Sequence, residues 1–171
     1  DLRLLEVLGG YAALVLDRLE KEQALRSERD LLDRLLETSP DAIVRLDREG
    51  TFVQASGQAE EVLGVDEAKI LGRTFNDPKW RIADTDGDDM PDEELPFAKI
   101  IRTGEPVQNE EFSITWPNGA ERILSVSGAP LYYESQEVEE TVFHITDITD
   151  RNKRAQELSA ATEEAAATER F

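Results

Sequence analysis

Very few residues in this chain could do chemistry. There is one histidine, no cysteine, and 38 carboxylates set against 19 basic side chains. Without cysteine the chain forms no disulfide, thiolate metal site or thiol nucleophile. The histidine, His144, sits in Val142-Phe143-His144-Ile145. Alternation there puts Phe143 and Ile145 on one face and His144 on the other, so it is read as a surface or helix-packing residue rather than a metal ligand or pH switch. The run Asp84-Thr85-Asp86-Gly87-Asp88-Asp89 has the oxygen donors of a calcium loop. An EF-hand needs glycine at the sixth loop position and glutamate at the twelfth. Those positions hold Asp89 and Leu95, and the segment reads instead as a glycine-centred turn on an acidic surface. No nucleophile elbow, phosphate-binding loop or dinucleotide fingerprint is present, and no carboxylate pair stands out as a glycosidase dyad. No catalytic residue and no metal ligand is therefore assigned. The remaining polar pair of interest is Asp147 and Thr149, where the last apolar alternation ends in Asp-Ile-Thr and runs into the charged segment Arg151 to Leu158. A strand that exits in this way can pass strain from a sheet to a helix.

The elements that must position these residues follow from periodicity. Leu5, Leu8, Ala12, Val15 and Leu19 recur in steps of three and four, which predicts an amphipathic helix. The stripe breaks at Glu20 to Gln23 and resumes with shifted phase at Leu25, Leu32 and Leu36. Gly9 and Gly10 are expected to interrupt it. The heptad-like spacing favours a parallel coiled-coil dimer. The run Leu14-Val15-Leu16 is more apolar than a free helix needs, which suggests packing against another domain; the plain alternative is a solvent-facing amphipathic helix, and the coiled-coil contact is preferred over it. Pro40 stops the helix. Asp41 to Leu46 and Thr51 to Ala55 then read as a hairpin turning at Gly50. Residues 57–72 read as short helical pieces, Arg73 to Glu93 as a long irregular loop, and Glu94 to Thr103 as a helix stopped by Gly104. Three strands follow, Val107 to Trp116, Glu121 to Tyr132 and Glu137 to Thr146, the first two joined by the turn Pro117-Asn118-Gly119.

With 171 residues and a formal charge of -19, the chain reads as one domain with helical extensions and a solvated acidic surface. That surface argues against nucleic acid or anionic lipid as partners, and is of the kind used in a salt-rich cytoplasm, which raises halophily as a suspicion from charge alone. No apolar run is long enough to span a membrane and no secretory leader is visible, so the expectation is a cytoplasmic protein.

Several segments, in this order, resemble the PAS domain family over residues 38–150: Ser39-Pro40-Asp41-Ala42-Ile43, Ala59-Glu60-Glu61-Val62-Leu63-Gly64, Ile70-Leu71-Gly72-Arg73, Thr103-Gly104-Glu105-Pro106-Val107, Trp116-Pro117-Asn118-Gly119, Ala129-Pro130-Leu131 and Asp147-Ile148-Thr149. Where many members carry asparagine after the second strand, this chain has Ser56. The resemblance implies an α+β fold: a five-stranded antiparallel sheet with short helices on one face and a cavity between, flanked by signalling helices over 1–37 and 151–171. The first of these looks like the closing helix of a GAF domain; the alanine-rich tail looks faintly like a methylated transducer helix, though an ordinary linker fits it better. If the strands alternate as in the family, Val44, Leu46, Phe112, Ile114, Leu124, Val126, Phe143 and Ile145 point inward. Phe97 and Ile101 close the cavity from the helix, and Trp80 forms a lid. A filled core and a ligand cavity fit this pattern equally. The ligand reading is a flat, mostly apolar small molecule held by stacking and one or two polar contacts. Haem is disfavoured because members that bind it use a helical histidine, and covalently linked flavin because it needs a cysteine. The resemblance further implies a homodimer through the helices, joined to an upstream sensor domain and a downstream output domain such as a sensor kinase, transducer or transcription regulator. Asp147 and Thr149 tie the last strand to the exit helix. The alternative is a ligand-free dimerisation and relay module.

Overall fold

The computed structural model describes residues 2–168, the side chains of Leu36 and of residues 166–168 excepted; the last three residues of the expected exit helix lie outside it. The chain divides after Ser39 into two compact units. The first is a single helix, α1 (Leu2–Thr38), which runs unbroken through Gly9 and Gly10. Two glycines cost roughly 2 kcal/mol of helix propensity against alanine, and the long-chain helix formers on both sides outweigh that. The apolar stripe of α1 is solvent-exposed, with Leu5, Leu8, Val15, Leu19, Leu25 and Leu32 all open to water.

The second unit contains β1 (Ala42–Asp47), β2 (Phe52–Ala55), α2 (Gln58–Leu63), α3 (Glu67–Ile70), β3 (Arg81–Ala83), a 3₁₀ turn (Asp92–Glu94), α4 (Pro96–Thr103), β4 (Val107–Thr115), β5 (Glu121–Leu131), β6 (Glu140–Asp147) and α5 (Thr149–Thr168). The strands form one antiparallel sheet in the order β2-β1-β6-β5-β4-β3. The sheet therefore has six strands rather than five. The additional one, β3, lies in the stretch expected to be loop, and its three residues pair with Ser113–Thr115 at the sheet edge. Asp84 turns the chain immediately after β3: its carboxylate accepts the backbone N–H groups of Asp86 and Asp88, both at 2.9 Å. The last strand begins at Glu140, not Glu137. The intervening residues close a turn in which the Ser135 hydroxyl donates to Glu139 and Tyr133 donates to Glu140. The carboxylate beside Tyr133 raises its phenol above the usual range.

Register explains which side chains meet. Val44 lies opposite Phe143, and Phe143 opposite Gly128; Ala42, Ile145 and Val126 form the next row. With side chains alternating across the sheet, these residues share the face covered by α2, α3 and α4. The fully buried Ile70 and Ile100 bring α3 and α4 down onto it. His144 is on the other face, exposed, with Nε2 2.9 Å from Asp41 Oδ2. Ser56 makes a two-way connection to β1: its hydroxyl accepts from the Ile43 N–H at 2.9 Å and its own N–H donates to the Ile43 carbonyl at 2.8 Å.

Candidate functional site

Between the sheet and the short helices lies a cavity of about 80 Å³. Val44 and Leu46 from β1, Phe112 and Ile114 from β4, Leu124 and Val126 from β5, and Phe143 and Ile145 from β6 line it, with Phe97 and Trp80 opposite. Ile101 is placed elsewhere: it is half-buried against the core without reaching the cavity wall. Phe52, Leu63, Phe75, Ile82, Leu95 and Pro96 complete the lining and were not anticipated. Of these, Phe52 stands in a strand legible from the sequence. Phe75 and Ile82 come from the irregular segment, where no periodicity marks an inward side chain.

Backbone contacts bring that segment over the cavity. The Phe75 N–H donates to the Gly50 carbonyl at 2.9 Å, and Phe52 and Arg73 are joined by a 2.8 Å bond from the Phe52 N–H. Phe75 then stacks against Phe97 at 4.5 Å between ring centroids, while Trp80 meets Phe52 edge-on at 5.8 Å. Phe75 and Ile82 are only half-buried, so the wall is thinnest beside them. Every lining side chain is apolar or aromatic. The one polar atom among them, the Trp80 indole N–H, already donates to the Leu63 carbonyl at 3.1 Å. The expected polar contacts to a ligand have no side chain to make them. The volume also lies well below the roughly 300–1,000 Å³ of drug-sized pockets.

The Phe143 ring, one wall of the cavity, lies against Gly128. A Cβ there would stand 2.2 Å from the Phe143 ring. Gly128→Ala is expected to drive Phe143 into the free space, with an overpacking cost of about 1–3 kcal/mol. Urea denaturation would give the loss of stability, and a structure of the variant would show the cavity diminished.

A second cluster stands at the end of the same sheet face. Asp147 follows Phe143 and Ile145 along β6 at the two-residue spacing that keeps one face. One of its oxygens accepts both the Thr149 hydroxyl and the Thr149 N–H, the latter at 2.9 Å. The Thr149 hydroxyl accepts in turn from the Ile123 N–H at 3.0 Å, and the Ile148 N–H donates to the Ile123 carbonyl at 2.9 Å. Thr149 and Ile148 are buried, so the first turn of α5 is pinned to β5. The second Asp147 oxygen meets Arg122 Nε at 3.4 Å. The Arg122 guanidinium lies over the Trp116 ring at 4.4 Å, and the Trp116 indole N–H donates to the Val62 carbonyl at 3.2 Å. Two indoles thus bind consecutive carbonyls at the C-terminal end of α2, Trp116 from the side of the exit helix and Trp80 from the cavity. Arg122 was not singled out from the sequence, and Trp116 entered only as the first residue of a turn motif.

Among the described residues no helix is long and apolar enough to cross a membrane, and no three carboxylates or histidines gather into a metal site.

A family model described as PAS fold matches residues 36–153. The structure is similar to the PAS domain of an HTR-like protein from Haloarcula marismortui, with a TM-score of 0.56 and 22% identity over 75% of this chain and 98% of that one. It is also similar to an RNA-binding light-oxygen-voltage receptor, with a TM-score of 0.62 and 18% identity over 84% of this chain and 39% of that one. A third likeness is the PAS domain of nitrogen regulation protein NR(II) from Vibrio parahaemolyticus, with a TM-score of 0.53 and 14% identity over 69% of this chain and 98% of that one. At these identities the likeness is one of fold. No curated protein matches the sequence.

Proposed function

This chain belongs to the PAS fold family, and we propose that it is the sensory module of a cytoplasmic signal-transduction protein, taking a small apolar ligand into its cavity and passing the change to an output domain through its flanking helices. Domains of this family are sensor modules of multidomain signalling proteins, commonly dimerise, and are generally non-catalytic. The observation that carries the reading is the single line of side chains on β6. Phe143 and Ile145 wall the cavity, and Asp147, next on that face, holds Thr149 at the start of α5. A ligand that packs differently on Phe143 and Ile145 has differential affinity for two positions of β6, and only such a ligand can shift the equilibrium between them. The consequence is a change in how α5 leaves the sheet, of the kind that rotates or shifts helices in a dimer.

Residues 1–37 are proposed as the lead-in helix from an upstream domain and residues 151–171 as the linker to the output. The exposed stripe of α1 supports a parallel homodimer, because a second copy would cover Leu5, Leu8, Val15 and Leu19. The acidic charge of -19 leaves nucleic acid an unsuitable partner. The small volume of the cavity favours one other reading, a ligand-free dimerisation and relay module. Native mass spectrometry of the purified protein, followed by denaturing analysis of what it releases, separates the two. A dimer carrying a near-stoichiometric small molecule is the expected result. A dimer with nothing bound under gentle conditions moves the assignment to the ligand-free relay.

A further inference from the structure

We propose that the ligand class of the cavity is narrower than the family fold requires: a neutral molecule with no hydrogen-bonding group, no larger than a single six-membered ring. The inference rests on the sensory reading above. Its first support is the wall. At the wall residues β1, β6 and β5 are paired on both sides, and β4 is paired with β5 at Phe112 and with both β5 and β3 at Ile114, so most backbone N–H and C=O groups beneath the cavity are engaged in the sheet; β3 reaches β4 only at Ser113–Thr115. The side chains they present to the cavity are hydrocarbon, and the Trp80 indole is committed to the Leu63 carbonyl. A hydroxyl or amide entering this space loses its water and gains no partner, and a carboxylate loses far more. Among the described residues, the one buried hydroxyl on this face without a hydrogen-bond partner is that of Thr141. It lies two residues from Phe143 along β6 and outside the cavity wall.

Size gives the second support. The cavity, at about 80 Å³, is smaller than the roughly 150 Å³ apolar void that takes up benzene or xenon. A ring is therefore an upper bound, reached only if the half-buried rim at Phe75 and Ile82 yields.

The test uses xenon, benzene, phenol and benzoate as probes on the whole chain, read by methyl NMR shifts of Val126, Ile114 and Ile145. Saturable shifts with xenon and benzene are expected, with phenol at least about tenfold weaker and benzoate silent. The variant Val44→Ile, which adds one methyl to the wall, is expected to weaken benzene while its spectrum stays folded. Phenol or benzoate binding as tightly as benzene overturns the ligand class but leaves a sensory cavity, and weakened phenol binding in Thr141→Val with benzene unchanged would locate the polar contact. Silence with all four probes overturns the ligand class and the ligand-sensing reading together. Unchanged benzene affinity in Val44→Ile overturns the assignment to this cavity.

Discussion

Gly64→Ala is expected to lower the unfolding free energy of residues 40–168 by about 2–3 kcal/mol, made up of roughly 1–2 for a left-handed backbone on an L-residue and roughly 1 for a lost hydrogen bond. Gly64 closes α2 at φ 70° and ψ 25°, with its N–H on the Glu60 carbonyl. The Trp116 ring lies directly on it: a Cβ would stand 2.2 Å from Trp116 Cδ2. A fused ring held by Val62 on one side and Arg122 on the other cannot swing aside as a flexible chain could. The indole must leave the Val62 carbonyl, and Arg122 loses the surface it stacks on. Gly72→Ala provides the control. Its φ of 81° is as strained, but the space around it is open, so it should cost only the backbone share, about 1–2 kcal/mol. Urea midpoints should fall in both variants with unchanged slope. Equal losses in the two would show that the Trp116 contact contributes nothing.

The inward rows of β1, β4, β5 and β6 were legible because a half-buried antiparallel strand alternates, and apolar residues at every second position then share a face. Strand β3 was not legible. It has three residues in a stretch rich in glycine, proline and aspartate, and it is paired on one side only. Its conformation is imposed by the edge of β4 rather than by its own propensity. Phe75 was hidden for a related reason, since it reaches the cavity through backbone bonds to Gly50 rather than through any repeat. Ile101 shows the converse: helical spacing places it near the core, but the sweep of α4 gives the cavity to Phe97 and Pro96.

Arg122 is the most instructive omission. It occupies an inward position of β5, in register with Ile114, where a charged side chain usually marks the solvent face. It is tolerated because the sheet ends there and because Asp147 and the Trp116 ring receive the guanidinium. A pattern of apolar residues reports where a core is, and says nothing of a cation held at its margin. Cavity volume was illegible for a different reason. Whether sixteen apolar side chains fill their space or leave 80 Å³ is set by rotamers and by single atoms such as the missing Cβ of Gly128.

Asp147→Ala is expected to have the largest effect on signalling while leaving the domain folded. The substitution removes the acceptor for the Thr149 hydroxyl and N–H at the first turn of α5, a capping loss of about 0.5–2 kcal/mol, and releases Arg122 from its partner. That is small against the stability of a domain with a core running from Ala42 to Ile145. It is comparable to the coupling free energies by which sites communicate, about 1–3 kcal/mol or 5–150-fold. In the full-length protein the ratio of stimulated to unstimulated output should therefore fall about two- to thirtyfold, which is that loss expressed as a ratio. Amide exchange should quicken in the first turn of α5 while β1 and β6 keep their protection. Arg122→Met tests the other arm, because it keeps the bonds to Thr149 and breaks only the link to Trp116 and α2. If Asp147 acts solely as a helix cap, Arg122→Met leaves the output ratio untouched. If the path from α2 contributes, Arg122→Met lowers the ratio without altering exchange at α5. An Asp147→Ala protein that is folded and signals with its normal ratio would remove the β6–α5 junction from the mechanism altogether.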